Sequence, residues 1–218
     1  MVVIIDYGVG NLFSLQSSFA AIGVQAVVSS DKDVIRSGDH IILPGVGAFE
    51  DAARKLRESG MADLVKELAA SGKPIMGICL GMQLLFERSF EYGEHEGLGL
   101  IKGSVRPIAD VIPDGLKIPQ MGWNALEYRY PAALPSDDAP DVNLKAASPI
   151  FKYIKEGDYV YFVHSYYGAD CDDSCIAVCD YGAPITAAVQ KDNVYGCQFH
   201  PEKSGTVGLN ILKAFCEL

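Results

Sequence analysis

Residues 74–83 read PIMGICLGMQ, and this stretch decides how the rest of the chain is interpreted. Residues 74–78 form an apolar run, which is typical of a strand buried on both faces of a parallel sheet. Gly77 and Gly81 lie two residues on either side of Cys79, which gives the pattern G-x-C-x-G. After a buried strand, this pattern is the cysteine form of the nucleophile elbow, a tight turn from a strand into a helix. The stretch therefore predicts an α/β fold with a reactive thiol at the end of a strand.

Strand and helix patterns alternate along the rest of the first half. Short apolar runs predict strands, while apolar residues at helical spacing, or segments after capping residues, predict helices. The predicted strands are residues 2–5, 24–28 and 41–43, and the predicted helices are residues 11–22, a short segment after Asp31, residues 61–69 and residues 82–88. Strands that are apolar throughout and separated by helices indicate a parallel sheet with helices on both faces. We therefore expect a doubly wound, mostly parallel α/β sheet.

The second half of the chain is richer in strand patterns. It predicts additional strands at residues 159–163, 176–179, 185–189 and 194–199, and a closing helix at residues 207–215. Residues 131–149 hold four of the eleven prolines and are predicted to form an exposed loop or insertion. Because the chain shows no repeat, heptad pattern or flexible linker, we expect residues 1–218 to form a single domain.

The composition excludes several classes of function. The 18 basic and 28 acidic side chains among 218 residues give a net charge of −10, which disfavours broad contact with nucleic acid or anionic lipid. The sequence has no run of about 18 apolar residues, so we expect no membrane span. Its first residues lack the basic start and the longer apolar core of an export signal. We therefore expect a cytoplasmic protein whose six cysteines are reduced.

Cys79 has the local surroundings that activate a thiol. The helix predicted behind it places partial positive charge near its sulfur and favours the thiolate. The backbone N–H of Leu80, at the start of that helix, would be free to stabilise an oxyanion. The alternative is a structural cysteine buried at a strand end.

A second motif, His200-Pro201-Glu202, follows the strand predicted at residues 194–199. In extended backbone, residues two apart point the same way, so Glu202 could hold one ring nitrogen of His200 while the other faces a nucleophile. The alternative is a surface histidine beside a solvated glutamate.

A third motif, PGVG at residues 44–47, follows the strand predicted at residues 41–43. Its two glycines permit unusual peptide orientations, so a backbone N–H of Gly45 or Val46 could complete an oxyanion hole with Leu80. The alternative is an ordinary tight turn.

Together these motifs resemble those of the class I, triad-type glutamine amidotransferases, in which an oxyanion loop, G-x-C-x-G-x-Q and H-P-E follow in this order. A finer resemblance is to the glutaminase subunits of imidazole glycerol phosphate synthases. It rests on DYGVGN at residues 6–11, PGVGAF at 44–49, IPQMGWN at 118–124 and YFVHSYY at 161–167. The resemblance extends from residue 2 to the C-terminal helix. Residues 129–144 look longer than the family pattern, which affects the local surface rather than the chemistry.

This resemblance implies a catalytic triad. Cys79 would attack the side-chain amide of glutamine, His200 would take the thiol proton and later protonate the leaving ammonia, and Glu202 would orient His200. The oxyanion would be held by backbone N–H groups at Gly45, Val46 and Leu80.

The resemblance also implies a glutamine-binding set made of Gln83, Glu91, Ser165 and Tyr166. A carboxylate at Glu91 suits the substrate ammonium, and donors at Ser165 and Tyr166 suit its carboxylate. Gln83 lies one helical turn after Cys79 and can reach the same pocket. The alternatives are a solvated loop acid at Glu91 and an aromatic side chain at Tyr166 that covers the core.

A protein partner follows from the same resemblance. Ammonia would pass to a cyclase subunit, a (β/α)₈ barrel, which forms imidazole glycerol phosphate and an aminoimidazole carboxamide ribotide in histidine biosynthesis. The two subunits would form a heterodimer, with Asn11 and residues 117–124, including Lys117 and Trp123, facing the cyclase. The alternative for Trp123 is a place in the core. No metal or redox cofactor is expected.

Several other interpretations compete with this one. There are two rival functions. One is a class I glutaminase that serves pyridoxal phosphate synthesis, and the other is a scaffold that has lost turnover.

Other residues could suggest other kinds of site. The spacing C-x₃-C-x₃-C of Cys171, Cys175 and Cys179 could suggest a metal site, but a second ligand pair is missing and structural thiols are favoured. Residues 6–10 lack the full G-x-G-x-x-G spacing of a dinucleotide loop. His164 adjoins the glutamine-site motif, but His200 has the better partner.

Overall fold

The computed structural model describes residues 1–129 and 148–218. Nearly all of the loop predicted at residues 131–149, and all of the longer segment 129–144 except its first residue, therefore lie outside the described residues.

The described ranges contain helices, strands and short 3₁₀ turns. The helices are α1 (Leu12–Ala21), α2 (Lys32–Ser37), α3 (Phe49–Glu58), α4 (Met61–Ala70), α5 (Leu80–Leu84) and α6 (Gly205–Phe215). The strands are β1 (Val2–Ile5), β2 (Ala26–Ser29), β3 (His40–Leu43), β4 (Ile75–Ile78), β5 (Phe86–Ser89), β6 (His95–Glu96), β7 (Ile101–Pro107), β8 (Gln120–Ala125), β9 (Glu127–Tyr128), β10 (Tyr159–His164), β11 (Tyr166–Ala169), β12 (Cys175–Asp180), β13 (Pro184–Lys191) and β14 (Val194–Cys197). The 3₁₀ turns are Ile108–Asp110, Pro149–Phe151 and Pro201–Lys203.

The central sheet has the order β2-β1-β3-β4-β14-β13-β12-β9. Strands β2, β1, β3, β4 and β14 are parallel, whereas β13, β12 and β9 extend the sheet with antiparallel pairs. The chain moves outward from β1 in both directions, which confirms the predicted doubly wound, mostly parallel sheet. Because the carboxyl ends of parallel strands share one edge, the loops after β1, β3, β4 and β14 meet there.

Two apolar cores lie on the two faces of this sheet. Successive strand residues point to opposite faces, so Val3 and Ile5 belong to the core under α2, α3 and α4. Val2 and Ile4 belong to the core under α1 and α6. The central strands are consequently apolar at every position, as their sequences predict.

Two smaller sheets follow the α/β part. Strands β8 and β10 form an antiparallel ribbon, in which Trp123 lies opposite Tyr161 and Gln120 opposite His164. Strands β11, β7, β5 and β6 form a four-stranded sheet. The predicted additional strands of the second half are confirmed, but β5 to β9 and β11 are not evident from the sequence patterns.

The helix predicted at residues 82–88 is confirmed only for residues 82–84. Helix α5 ends at Leu84 and the chain continues as β5. The reason is tertiary, because residues 98–101 return to donate backbone hydrogen bonds to the carbonyls of Leu84, Leu85 and Phe86. A longer helix would need those carbonyls for its own N–H groups.

Helix α3 is also absent from the sequence prediction. Its N-cap residue is Ala48, which has no side chain that could cap the first turn. Instead, the Oε2 atom of Glu91, 42 residues away, accepts a hydrogen bond of 2.7 Å from the N–H of Phe49. A cap supplied from so far along the chain leaves no local signature.

None of the helices in residues 1–129 and 148–218 has the length and apolar character needed to cross a membrane.

Candidate active site

The turn at Cys79 has the geometry of a nucleophile elbow. Its φ of 54° and ψ of −112° lie in a region that residues other than glycine rarely adopt. Cys79 directly follows β4, and α5 begins at Leu80. The N–H of Cys79 donates to the carbonyl oxygen of Cys197 at 2.7 Å. The first N–H groups of a helix have no partner within the helix, so the N–H of Leu80 is a donor available beside the thiol.

Glycines let the loop after β3 approach this elbow. A Cβ atom at Gly81 would lie 1.9 Å from the carbonyl oxygen of Leu43, and one at Gly77 would lie 2.6 Å from the carbonyl oxygen of Gly81. A Cβ atom at Gly45 would lie 2.6 Å from the backbone nitrogen of Gly81. The structure therefore brings the predicted oxyanion residues Gly45 and Leu80 into contact.

The Gly81→Ala variant is expected to lose about 3 kcal/mol of unfolding free energy, because its methyl group would overlap the backbone of Leu43. Gly72→Ala is the matched control. Gly72 has a φ of +84° but open space around its Cβ position, so that variant pays only the left-handed backbone cost of about 1 kcal/mol. Urea unfolding of both variants checks this. Equal losses would show that the close approach at Gly81 is unimportant.

Residues of the loop after β1 contact the predicted oxyanion loop at residues 44–47. The hydroxyl of Tyr7 donates to the carbonyl oxygen of Pro44 at 2.7 Å, and burial raises the pKa of Tyr7. A Cβ atom at Gly10 would lie 2.8 Å from the Cβ atom of Pro44. This contact gives a structural reason for the DYGVGN segment, and the role of Tyr7 was not evident from the sequence.

The His200-Pro201-Glu202 motif meets the elbow from the end of β14. The Nδ1 atom of His200 lies 2.8 Å from Oε1 of Glu202, and their side chains are 4% and 1% exposed. The backbone of His200 is fixed as well, because its N–H donates to Tyr161 and its carbonyl accepts from the Ser204 hydroxyl. The imidazole of His200 and the thiol of Cys79 line the same cleft.

The two histidines of the site differ in charge state. Burial lowers the pKa of His200, but its hydrogen bonds and charge interactions with Cys79 and Glu202 outweigh burial and raise that pKa to about 9. Burial, together with the nearby charge of His200, lowers the pKa of His164 to about 4. His164 is therefore neutral, and the geometry favours His200 as the acid-base group.

A pair of buried glutamines lies beneath the thiol. Gln83 donates through Nε2 to the carbonyl oxygen of Tyr166 and to Oε1 of Gln198, both at 3.0 Å. The Nε2 atom of Gln198 lies 3.8 Å from Sγ of Cys79. Gln198 was missed by sequence reasoning, although it lies only two residues before His200 in the strand-end motif.

The predicted glutamine-binding residues line one cleft with the thiol and the imidazole. The cleft has a volume of about 580 Å³. Its walls include Cys79, Gln83, Glu91, Ser165, Tyr166 and His200, and also Val46 and Leu80. The rings of Tyr92 and Tyr166 meet edge to face at its rim, with centroids 6.3 Å apart. The structure therefore brings together residues from five separate segments of the chain.

Asn11, Lys117 and Trp123, which are predicted to face a partner, lie outside this cleft, whereas Ile118 and Pro119 of the predicted segment 117–124 line it. Asn11 is half-buried and precedes α1, and Lys117 is exposed. Trp123 is 52% exposed and packs edge to face on Tyr161, with ring centroids 6.0 Å apart. Trp123 is thus a surface residue, and the alternative of a core tryptophan is wrong.

All six cysteines are free thiols. Burial raises the pKa of Cys171 and of Cys179 to about 12, which makes both thiols inert. Among the residues that the structure describes, no group of three or more His, Cys, Asp and Glu side chains is arranged to hold a metal ion.

Comparison with known proteins agrees with this geometry. The pattern of the family described as "Glutamine amidotransferase class-I" matches residues 3–217. The imidazole glycerol phosphate synthase subunit HisH of Lactococcus lactis is 49% identical over 217 residues, which cover 99% of this chain and 98% of the relative. The subunit HisH of Caldanaerobacter subterraneus is 49% identical over 219 residues, which cover 100% of this chain and 98% of the relative.

Solved structures share the fold at lower identity. A crystal structure of a glutamine amidotransferase superposes with a TM-score of 0.71 at 19% identity and covers 100% of this chain and 98% of its own. The structure of PurLQS from Thermotoga maritima gives a TM-score of 0.71 at 20% identity, with 99% and 97% covered. The chain therefore belongs to the class-I glutamine amidotransferase family, and within it to the HisH subunits of imidazole glycerol phosphate synthase.

Proposed function

We propose that this protein hydrolyses the side-chain amide of glutamine at Cys79 and supplies the ammonia to the cyclase subunit of imidazole glycerol phosphate synthase. The cyclase would use it to form imidazole glycerol phosphate and an aminoimidazole carboxamide ribotide in histidine biosynthesis. The observation that carries the proposal is the thiol of a strained elbow that shares one cleft with a histidine, whose Nδ1 atom meets a buried glutamate. The names of the HisH relatives support the choice of synthase.

In the proposed reaction, His200 accepts the thiol proton and the sulfur of Cys79 attacks the amide carbon of glutamine. The negative charge that develops on the amide oxygen is held by backbone N–H groups at Leu80 and at Gly45 or Val46. The protonated His200 then donates its proton to the amide nitrogen, the C–N bond breaks, and ammonia and a thioester form. A water molecule deprotonated by His200 hydrolyses the thioester, which releases glutamate and restores the thiol.

Glutamine recognition is assigned to the walls of the cleft. Because Oε2 of Glu91 accepts from the N–H of Phe49, we assign the substrate ammonium to the Oε1 side of that carboxylate. Ser165 and Tyr166 supply donors for the substrate carboxylate. Gln83 stays a predicted glutamine-binding residue, although its Nε2 atom already donates to Tyr166 and Gln198.

The proposed cyclase surface is the outer face of the β8–β10 ribbon and the loops beside it. Its apolar side chains are unusually exposed: Met121 (63%), Tyr159 (58%), Trp123 (52%), Ile118 (44%) and Val46 (44%). Exposed apolar patches of this kind mark protein interfaces. Ile118 and Val46 also line the cleft, so the patch adjoins the place where ammonia forms.

An isotope experiment tests the transfer step. Glutamine labelled with ¹⁵N at its amide is supplied to the two-subunit enzyme together with an excess of unlabelled ammonium. If ammonia passes directly between the subunits, the imidazole product keeps nearly all of the label. Dilution of the label to the proportion of the bulk ammonium would contradict direct transfer.

The Trp123→Ala variant is expected to weaken binding to the cyclase about 30-fold, because large exposed aromatic side chains at interfaces commonly contribute about 2 kcal/mol. Titration calorimetry of the purified subunits measures the Kd. Tyr153→Ala is the control, since Tyr153 is 37% exposed, its hydroxyl bonds to Glu217, and it belongs to neither strand of the ribbon. A Kd for Trp123→Ala that equals that of the control would place the cyclase elsewhere.

The cytoplasmic location and the single-domain organisation stay predictions from the sequence.

A further inference from the structure

The segment between β14 and His200 contains the buried side-chain amide of Gln198, which has no role in the reaction steps proposed above. Gln198 is fully buried, and its backbone N–H donates to the carbonyl of Ala187 at 2.8 Å. Its side chain reaches the elbow, where Nε2 lies 3.8 Å from Sγ of Cys79. Placing a polar amide in an apolar core is costly unless its groups are hydrogen-bonded, so its partners determine which way it points.

The direction of the Gln198 amide follows from a chain of hydrogen bonds that begins at a backbone carbonyl. The carbonyl oxygen of Tyr166 can only accept, so Gln83 must present its NH₂ group there, at 3.0 Å. The same NH₂ group has a second hydrogen, which is donated to Oε1 of Gln198 at 3.0 Å. The amide oxygen of Gln198 is thereby occupied by Gln83, and its NH₂ group is left to face the sulfur of Cys79.

We propose that Gln198 donates a hydrogen bond to the thiolate of Cys79, and that Gln83 sets the orientation of the Gln198 amide that makes this possible. The inference rests on the proposed function, since it assigns Gln198 a role at the same nucleophile. A donor to the charged form favours the thiolate over the thiol and holds Sγ in one position. Gln198 is neutral, so it stabilises the thiolate without taking part in proton transfer, which is left to His200.

The chain contains a matched pair that serves as a control. The Nε2 atom of Gln120 donates to Sγ of Cys179 at 3.4 Å, so a second buried amide lies on a second buried thiol. Cys179 lies in β12, outside the cleft. Removing the amide at Gln120 therefore reproduces the packing change of a Gln198 variant without touching the elbow.

The test is the pH dependence of Cys79 alkylation by iodoacetamide in the full-length protein, followed by mass spectrometry of the peptide that contains Cys79. Gln198→Met keeps the volume of the side chain but removes the donor. We expect the midpoint of its alkylation profile to move to higher pH by about one unit, with a rate about tenfold lower below the wild-type midpoint. We expect Gln120→Met to leave the Cys79 profile unchanged.

A second variant covers the case in which Gln198→Met does not fold. Gln198→Glu can still accept from Gln83 but places a carboxylate against the sulfur, so its midpoint is expected to move further upward than that of Gln198→Met. A Cys79 profile in either folded variant that coincides with the wild type would overturn the inference.

Glutamine hydrolysis by the wild type, measured in parallel with the partner present, separates the two proposals. If the wild type hydrolyses glutamine and the Gln198 variants alkylate normally, only the role of Gln198 is wrong. If the profiles shift but the wild type releases no glutamate, the donor role of Gln198 stands and the proposed function is wrong. In the active enzyme, we expect Gln198→Met to lower kcat about tenfold with KM within about twofold, because the thiolate acts in the chemical step.

Discussion

The Cys79→Ala variant is expected to lose at least about 10⁴-fold in kcat for glutamate release, because among the described residues that line the cleft no other side chain carries a thiol. His200 and the oxyanion donors would remain, but they have no nucleophile to act on. The initial rate of glutamate formation, measured with the cyclase partner present, gives the size of the loss.

Two controls separate loss of chemistry from loss of structure. Cys216 is a half-buried thiol next to the C-terminus, so Cys216→Ala should keep wild-type turnover. Cys79 is 8% exposed and lies in the cleft rather than on the β8–β10 ribbon, so Cys79→Ala should bind the cyclase with an unchanged Kd. Residual turnover of Cys79→Ala above about 1% would mean that Cys79 is not the nucleophile.

The Glu202→Gln variant is expected to lose about 10³-fold in kcat, because a neutral amide lacks the charge that stabilises the imidazolium and can donate through its NH₂ group to Nδ1, which selects the wrong tautomer of His200. The wild-type carboxylate lies 2.8 Å from Nδ1 of His200 and is almost completely buried. Steady-state kinetics with a saturating partner measures the change. Glu217→Gln, which alters an exposed ion pair with Lys152, is the control and should keep full activity.

The same variant should change the pH profile in a defined direction. The pKa of His200 is raised to about 9, so the imidazolium is present below that pH, and activity that depends on it falls as the pH rises through about 9. Loss of the Glu202 charge lowers the pKa of His200, so the alkaline limb should move to lower pH. An alkaline limb that stays in place would contradict the assignment.

Stability is linked to the same titration. The folded-state pKa of His200 is above the unfolded value of about 6.5, so its contribution is complete below pH 6.5 and lost as the pH rises through about 9. Urea unfolding should therefore find Glu202→Gln destabilised more at pH 6 than at pH 9.5.

The sequence motifs placed the predicted catalytic residues at one edge of the sheet because each motif follows a parallel strand. Cys79, residues 44–47 and His200 come after β4, β3 and β14, and parallel strands place such loops at one edge without any further information. Both glycines that flank Cys79, and Gly45, are also explained by the close approach of these loops. Local patterns and one topological rule were therefore sufficient for this part of the site.

The contacts that support the site could not be predicted because they join distant parts of the chain. Glu91 caps α3 from 42 residues away, Tyr7 reaches Pro44 across 37 residues, and Gln83 reaches Gln198 across 115. The end of α5 is likewise set by residues 98–101. Such interactions form only in the folded protein, and no local sequence pattern or spacing indicates them.

The rate of glutamate release tests most directly whether the cleft around Cys79 hydrolyses glutamine for a cyclase partner. The rate is measured for the protein alone, with the cyclase subunit, and with the cyclase subunit plus its ribonucleotide ligand. We expect strong stimulation that requires the cyclase and its ligand and that disappears in Cys79→Ala. Equal release without the cyclase would contradict the assignment to imidazole glycerol phosphate synthase, and no release under any condition would contradict the glutaminase activity itself.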